Sequence, residues 1–504
     1  MSKASQALDV VIIGAGLSGI GAAYHLQTSL PGKSYVILEG RERLGGTWDL
    51  FRYPGIRSDS DMYTLGYSFR PWTNAKAIAD GPAILEYIRE TAEHYGIDRH
   101  IEYRRRVERV SWSTDEACWT IDARNTETGE LVRYKARFVF VCSGYYDYSE
   151  GYTPDFPGLD RFRGRVVHPQ KWTEDVDYEG KRVVVIGSGA TAVTLVPELA
   201  KRAAHVTMLQ RSPTYIISMP ERDPVATWMR GRLSTKAAYS VMRWKNVLVS
   251  MGFYNFCRKA PRVAKRLLVG QMKRSVRGAV DANAHFVPSY DPWDQRLCLV
   301  PDGDLFAALR KRKASVVTDH IETFTEGGIR LRSGEELEAD LVVTATGLKL
   351  QFLGGARLEV DGKAVEPPDC MVYKGLMLSD VPNLAFAIGY TNASWTLKCD
   401  LTSEYVCRLL RHMDDRGYDV AIPRQNDPSL REEPIIDFSS GYVQRALAQI
   451  PKQGSRAPWK LYQNYALDLA LLRRGRLEDG VLELRKGSGA GAKRTSDARA
   501  HART

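Results

Sequence analysis

No two of the seven cysteines, Cys118, Cys142, Cys257, Cys298, Cys370, Cys399 and Cys407, form a C-x-x-C pair. Seven is also an odd number, so the chain encodes neither a disulfide scaffold nor paired metal-ligand knuckles, and a dithiol reductase is disfavoured. No metal site is expected, and a reducing cytoplasm suits such a cysteine set. No basic leader with a cleavage site frames the uncharged stretch 10–30, and Gly14, Gly16, Gly19 and Gly21 break it. Neither a signal peptide nor a spanning helix is therefore expected. Zinc-finger spacings and RNP-like strings are missing too, so the net charge of +11 does not by itself call for nucleic acid.

What is present is the composition of a globular protein, with 44% hydrophobic and 26% charged residues. At 504 residues the chain exceeds the roughly 100 to 200 residues of an ordinary domain, so about three are expected. The positive charge is regional. Residues 221–281 hold fourteen Lys and Arg against three acidic residues, a difference equal to the excess of the whole chain. Apolar residues recur there at helical spacing, as at Val241, Trp244, Val247, Leu248 and Met251, so 216–295 reads as a helical insertion. Its plain reading is a solvated helical surface; a sharper one is peripheral docking on an anionic membrane. From Lys486 the run KGSGAGAKRTSDARAHART reads as a disordered basic tail.

Two stretches share one pattern. VVIIGAGLSG begins at Val10 and VVVIGSGATA at Val183, so Gly14, Gly16 and Gly19 correspond to Gly187, Gly189 and Ala192. Each is a hydrophobic strand, a tight glycine turn and a helix opening, the arrangement that sets a pyrophosphate at a helix N-terminus. Glu39 lies twenty-five residues past Gly14, where a carboxylate can accept from a ribose diol. At twenty-four residues past Gly187 stands Arg211, followed by Ser212. A guanidinium there favours a 2′-phosphate, as in NADPH; a solvated arginine at a strand end is the alternative. The expected fold class is α/β, with two doubly wound, Rossmann-like dinucleotide-binding domains and a helical insertion. Small-residue turns at Gly144 and Gly347 mark the crossovers. The division is 1–148 and 348–485 for the first dinucleotide-binding domain, 149–215 and 296–347 for the second, NADP-type domain, 216–295 for the insertion, and 486–504 for the tail.

Between the two turns lies FRGRVVHPQKW, with Phe162, Gly164, His168 and Trp172 at the spacing F-x-G-x-x-x-H-x-x-x-W. With GGTWDLFRYPGIRSD at 45–59, the chain resembles the type I Baeyer-Villiger monooxygenases. GYTNASWTLKCDLTSEYVCRLL and PKQGSRAPW are similar to their ethionamide-activating branch. Thr173 departs from the Pro or Asp usual in the fingerprint. Gln295 replaces the lysine that many relatives carry before the active-site arginine, which implies looser selection of NADPH.

The resemblance implies tightly bound FAD against Gly14, Gly16, Ser18, Gly19, Glu39, Gly46, Thr47, Trp48, Asp49, Leu50 and Asp59, with backbone contact at Val107. It implies NADPH against Gly187, Ser188, Gly189, Ala190, Thr191, Ala192, Arg211 and Ser212. Within WDQRLCLVPDGDLF it makes Arg296 the catalytic arginine, oriented by Asp59; capping the local turn is the other role open to Asp59. The implied reaction reduces FAD with NADPH, adds O₂ as a C4a-peroxide and carries one oxygen atom into a ketone, giving an ester or lactone. Oxidation of thioethers and thioamides is expected beside it. The fingerprint His168 and Trp172 are expected to position the domains, although a lone buried histidine is also an ordinary structural residue. The expected partners are O₂ and a small apolar ketone or sulfide, and pocket walls are expected from the insertion and the C-terminal third, including Trp395 and Trp459. A flavin-containing N- or S-monooxygenase without ketone activity, and a non-catalytic NADPH-sensing flavoprotein, are the alternatives.

Overall fold

Strand Leu8–Ile13 is hydrophobic almost throughout because it is covered on both faces. Val10 and Ile12 join one core cluster, and Val11 and Ile13 another. In this computed structural model, residues 7–487 are described, so nearly all of the basic tail lies outside the described residues. Strand Leu8–Ile13 pairs in parallel with Tyr35–Leu38 on one side and with the C-terminal half of Leu131–Val141 on the other. Leu384–Phe386 adds a further parallel strand to Leu131–Val141, so the chain returns to this sheet after leaving it. Helix α1 (Leu17–Ser29) follows the first strand.

The second sheet is five-stranded and wholly parallel, in the order Ala314–Thr318, His205–Gln210, Arg182–Ile186, Leu341–Thr344 and Arg165–Val167. Helix α2 (Ala190–Leu199) follows Arg182–Ile186 as α1 follows Leu8–Ile13. The protein is thus α/β with two Rossmann-like units. The crossovers meet in a small antiparallel pair, Tyr146–Gly151 against Leu348–Leu350. The turns before them need glycine, since φ is +73° at Gly144 and +110° at Gly347.

The insertion is helical: α3 (Pro224–Arg230), α4 (Thr235–Lys259) and α5 (Pro261–Val276), packed α3 on α4 and α4 on α5. Its two ends are sewn together by the parallel pair Ile216–Met219 and Cys298–Pro301. Of the five apolar residues whose spacing predicted the helix, Val247 is buried, Met251 is half-buried, and Val241, Trp244 and Leu248 are exposed. Spacing correctly gives the helix but not which side it buries. The inner side is fixed by Arg243, whose buried guanidinium donates to the carbonyls of Tyr63 (2.9 Å) and Gly66 (2.7 Å). It also meets Asp400 at 3.3 Å, on helix α6 (Trp395–Arg416).

Removing one partner of a buried ion pair leaves an uncompensated charge, here Asp400 with only His25 and the Ser68 N–H to answer it. Arg243→Leu is therefore expected to cost about 3 to 5 kcal/mol of stability. A melt followed by circular dichroism checks it: a midpoint equal to the wild type would remove this anchoring role.

Candidate active site

The first glycine turn is built for close approach. Gly14 has φ +102°, and a Cβ there would stand 2.8 Å from the Cys142 carbonyl oxygen, while a Cβ on Gly19 would stand 1.9 Å from that of Gly14. Helix α1 begins at Gly16 with no side-chain cap and no acid in its first turn, which leaves its N–H groups and dipole open to an anion. Glu39 is buried and accepts from the N–H of Ala15 (2.7 Å) and of Arg41 (2.9 Å). Burial pushes its carboxyl up, against the pull of those two donors. A cleft opens here between Gly16, Ser18, Gly46, Thr47, Trp48, Asp59, Tyr148, Arg296 and Trp395. An uncapped helix end beside a carboxylate suits a pyrophosphate and a ribose, so these residues fit a dinucleotide.

Some expected flavin residues are also engaged in ion pairs or packing of their own. The Asp49 carboxylate is buried among Arg41, Arg43 and Arg52, so its charge clamps its own loop. Leu50 packs against the core of the second unit. Val107 is buried in the sheet core, on the strand whose Arg105 N–H donates to the Glu39 carbonyl. Gly19 serves helix packing, as its approach to Gly14 shows.

The second turn lines another cleft with Gly187, Ser188, Gly189, Ala190, Thr191, Arg211 and Ser212. Gly187 has φ +129°, and a Cβ there would stand 2.3 Å from the Ala345 carbonyl oxygen. Helix α2 also lacks a side-chain cap. Ala192 is wholly buried behind the turn, where only a small side chain fits. Arg211 is exposed and, among the described residues, forms no ion pair, so its guanidinium is free for an anion. Arg445, which no motif announced, borders the same cleft from helix α7 (Gly441–Ala446), its guanidinium 3.4 Å from the ring centre of Tyr152.

A third cavity is mostly apolar and comes largely from the C-terminal third: Leu350, Phe352, Ile388, Ile435, Phe438, Tyr442, Ile450 and Leu461, with Tyr145 and Trp395. Trp395 thus lines a pocket as expected. Trp459 does not, being buried edge-on against Tyr373, and the insertion contributes no wall. The insertion's Val247 and Met251 instead border a small neighbouring cavity beside Ala393 and Gln463. Trp395 is held by stacking on Tyr145 (4.9 Å between centroids) and by donating to Ser18 Oγ (2.8 Å).

Arg296 is the one described residue that borders all three cavities. Its Nη2 lies 3.0 Å from Asp59 Oδ2, and each side chain keeps 34% of its surface open. Asp59 raises the arginine's pKa further above its usual value, so the cation is permanent. Burial pushes the phenols of Tyr145, Tyr146 and Tyr442 up, leaving them protonated around it. Burial likewise pushes the Cys298 thiol up to about 12, which removes it as a nucleophile.

The fingerprint residues stand away from these cavities. His168 Nδ1 accepts from the Gln170 N–H (3.2 Å), so Nε2 carries the proton and donates to the Gly347 carbonyl (3.1 Å). Its ring fills the place of a side chain at Gly151, where a Cβ would lie 1.9 Å away. Gly151 and Gly347 belong to the two crossovers, and His168 joins them. Phe162 lies against Gly164 and Phe324, and Trp172 is buried against Tyr178.

Residues 73–250 match the flavin-binding monooxygenase-like family, and residues 12–80 an NAD(P)-binding Rossmann-like domain. The chain is 55% identical over 483 residues to the FAD-containing monooxygenase EthA of Mycobacterium tuberculosis, covering 96% of this chain and 98% of that one. It belongs to the EthA-like FAD-containing monooxygenases. The Mycolicibacterium smegmatis EthA is 53% identical over the same length, again covering 96% and 98%. Among solved structures, an oxidised steroid monooxygenase bound to NADP superposes with a TM-score of 0.74 at 22% identity, over 96% of this chain and 100% of that one. Cyclohexanone monooxygenase bound to ε-caprolactone does so at 0.73 and 21%, over 95% and 100%. This FAD-containing monooxygenase therefore has the Baeyer-Villiger monooxygenase fold, with an NAD(P)-binding Rossmann-like unit.

Arg211 is an exposed cation on the second cleft, and we propose it as the partner of a 2′-phosphate; hydrogen bonds to charged groups contribute about 1.5 to 3 kcal/mol. Arg211→Ala should thus raise the Kd for NADPH about 10- to 100-fold and leave that for NADH unchanged. Titration with both nucleotides checks it; equal losses for both would remove the assignment.

Proposed function

We propose that this monooxygenase inserts one oxygen atom into small apolar ketones to give esters or lactones, with NADPH and O₂ as co-substrates. Thioethers and thioamides are proposed as further substrates of the same cavity. One observation carries this reading: a permanent cation, Arg296, stands where the flavin cleft, the nucleotide cleft and an apolar pocket meet. FAD, when bound and reduced by the nicotinamide cofactor, supplies the activated oxygen. Gly14, Gly16, Ser18, Glu39, Gly46, Thr47 and Trp48 are the residues proposed to hold it.

The chain's own contribution starts with charge. Transfer of oxygen to a carbonyl carbon builds negative charge on the carbonyl oxygen, and a guanidinium fixed beforehand stabilises it without reorganising. Lysine could lose its proton in so apolar a setting, whereas arginine cannot. Asp59 orients Arg296 through the 3.0 Å pair, and the apolar walls keep water from competing. His168 and Trp172 hold the connection between the two units, and we assign them positioning rather than proton transfer.

No helix among the described residues is long and apolar enough to cross a membrane. We propose a cytoplasmic enzyme that meets the inner membrane face peripherally through its basic insertion.

Arg296→Ala should lower oxygenation about 10²- to 10³-fold while flavin stays bound, because its glycine turn is untouched. Product analysis over a phenyl ketone and thioether panel, with NADPH and oxygen consumption measured alongside, checks both points. Sulfoxides without any ester would overturn the ketone assignment, and undiminished ester formation by the variant would overturn the role of Arg296.

A further inference from the structure

Among the described residues, eleven of the fifteen large hydrophobic side chains left exposed lie between Met219 and Leu267, in or beside the insertion helices. That concentration is not a packing remainder. On α4, Val241, Trp244 and Leu248 follow the three-and-four spacing of one helix stripe, and Leu248 is 62% exposed. The opposite side of α4 is committed, since Tyr239, Met242, Arg243 and Val247 are buried there. Arg243 locks that orientation through the carbonyls of Tyr63 and Gly66. The apolar stripe therefore faces outward by construction. Leu267 on α5 (56% exposed) and Trp228 on α3 (58%) extend it across the neighbouring helices.

The charges around the stripe have one sign. Lys236, Lys259, Arg262 and Arg266 are exposed and, among the described residues, form no ion pair. The three acids of 221–281 are engaged: Glu221 with Lys76, Asp223 with Lys245, and Asp281 capping a short helix. Arg232 lies 4.6 Å over the Trp228 ring, joining a cation to an apolar anchor. A second copy of this chain would bring the same positive face and be repelled. A neutral partner would leave the charges unused.

We propose that the outer face of α3, α4 and α5 is a monotopic docking surface for an anionic lipid bilayer, with Trp228, Leu248 and Leu267 entering the headgroup boundary and Arg262 and Arg266 meeting lipid phosphates. Apolar area plus charge attraction is the combination that gives such binding, and tryptophan suits the interface.

Flotation of the FAD-loaded full chain with phosphatidylglycerol vesicles, and separately with phosphatidylcholine vesicles, tests this. Binding is expected to the anionic vesicles only and to fall with added salt. Trp228→Ser/Leu248→Ser/Leu267→Ser and Arg262→Glu/Arg266→Glu should each weaken it ~10-fold or more, with flavin content and turnover of a water-soluble ketone unchanged. Recovery that is absent or equal for both vesicle types would overturn the proposal. So would loss of a concentration-dependent oligomer in the serine variant while flotation is nil, which would assign the face to a second copy. This inference rests on the peripheral association proposed above and names its face: absent flotation would overturn both, whereas anionic-selective flotation undiminished in both variants would overturn this face alone, and neither outcome reads turnover or bears on the ketone assignment.

Discussion

A single cation held at the meeting point of three cavities organises this protein. Arg296 occupies a short segment with little freedom. Asp294 before it accepts from both the N–H and the hydroxyl of Ser439, and Cys298 after it opens a strand whose N–H donates to Tyr215. Asp59 comes from the loop after the first glycine turn, where the Ser58 N–H donates to Ala79. The ion pair therefore joins the first unit to the segment that closes the insertion. A charge only partly open to water is costly to desolvate, and Asp59 offsets that cost while aiming the guanidinium. The two sheets, the crossovers and the C-terminal wall bring three cavities to that charge.

The crossovers show how two rigid units stay aligned around it. Strands Tyr146–Gly151 and Leu348–Leu350 pair antiparallel, and His168 donates to Gly347 while covering Gly151. Burial holds the imidazole pKa below its usual value, so the ring remains neutral and its tautomer is fixed by Gln170. A glycine at position 151 is required by that ring rather than by backbone strain, a reason that the fingerprint string does not state.

The parts legible in the sequence were those whose physics is local. Gly14, Gly16 and Glu39 declare a dinucleotide turn because strand, glycine and acid fall within one βαβ stretch, and Gly187 with Arg211 repeats it. The apolar pocket was illegible for the opposite reason. Tyr145, Trp395 and Ser18 meet across 377 residues of chain at the widest, and no spacing rule links them. Arg445 was missed because a lone arginine on a short helix looks like surface. Asp49 fits the flavin pattern by position, and no spacing in that pattern announces the three arginines that surround its carboxylate. On α4 the periodicity of Val241, Trp244 and Leu248 named a helix correctly and left its orientation open. Arg243, polar in sequence and buried in structure, decides it.

The roots of the insertion lie side by side, with Ile216 in register with Cys298 as neighbouring strands about 4.8 Å apart. Everything between those roots leaves the second unit and returns at almost the same point. Such a geometry makes the segment separable: its length and outer chemistry can change while the parallel sheet keeps its register.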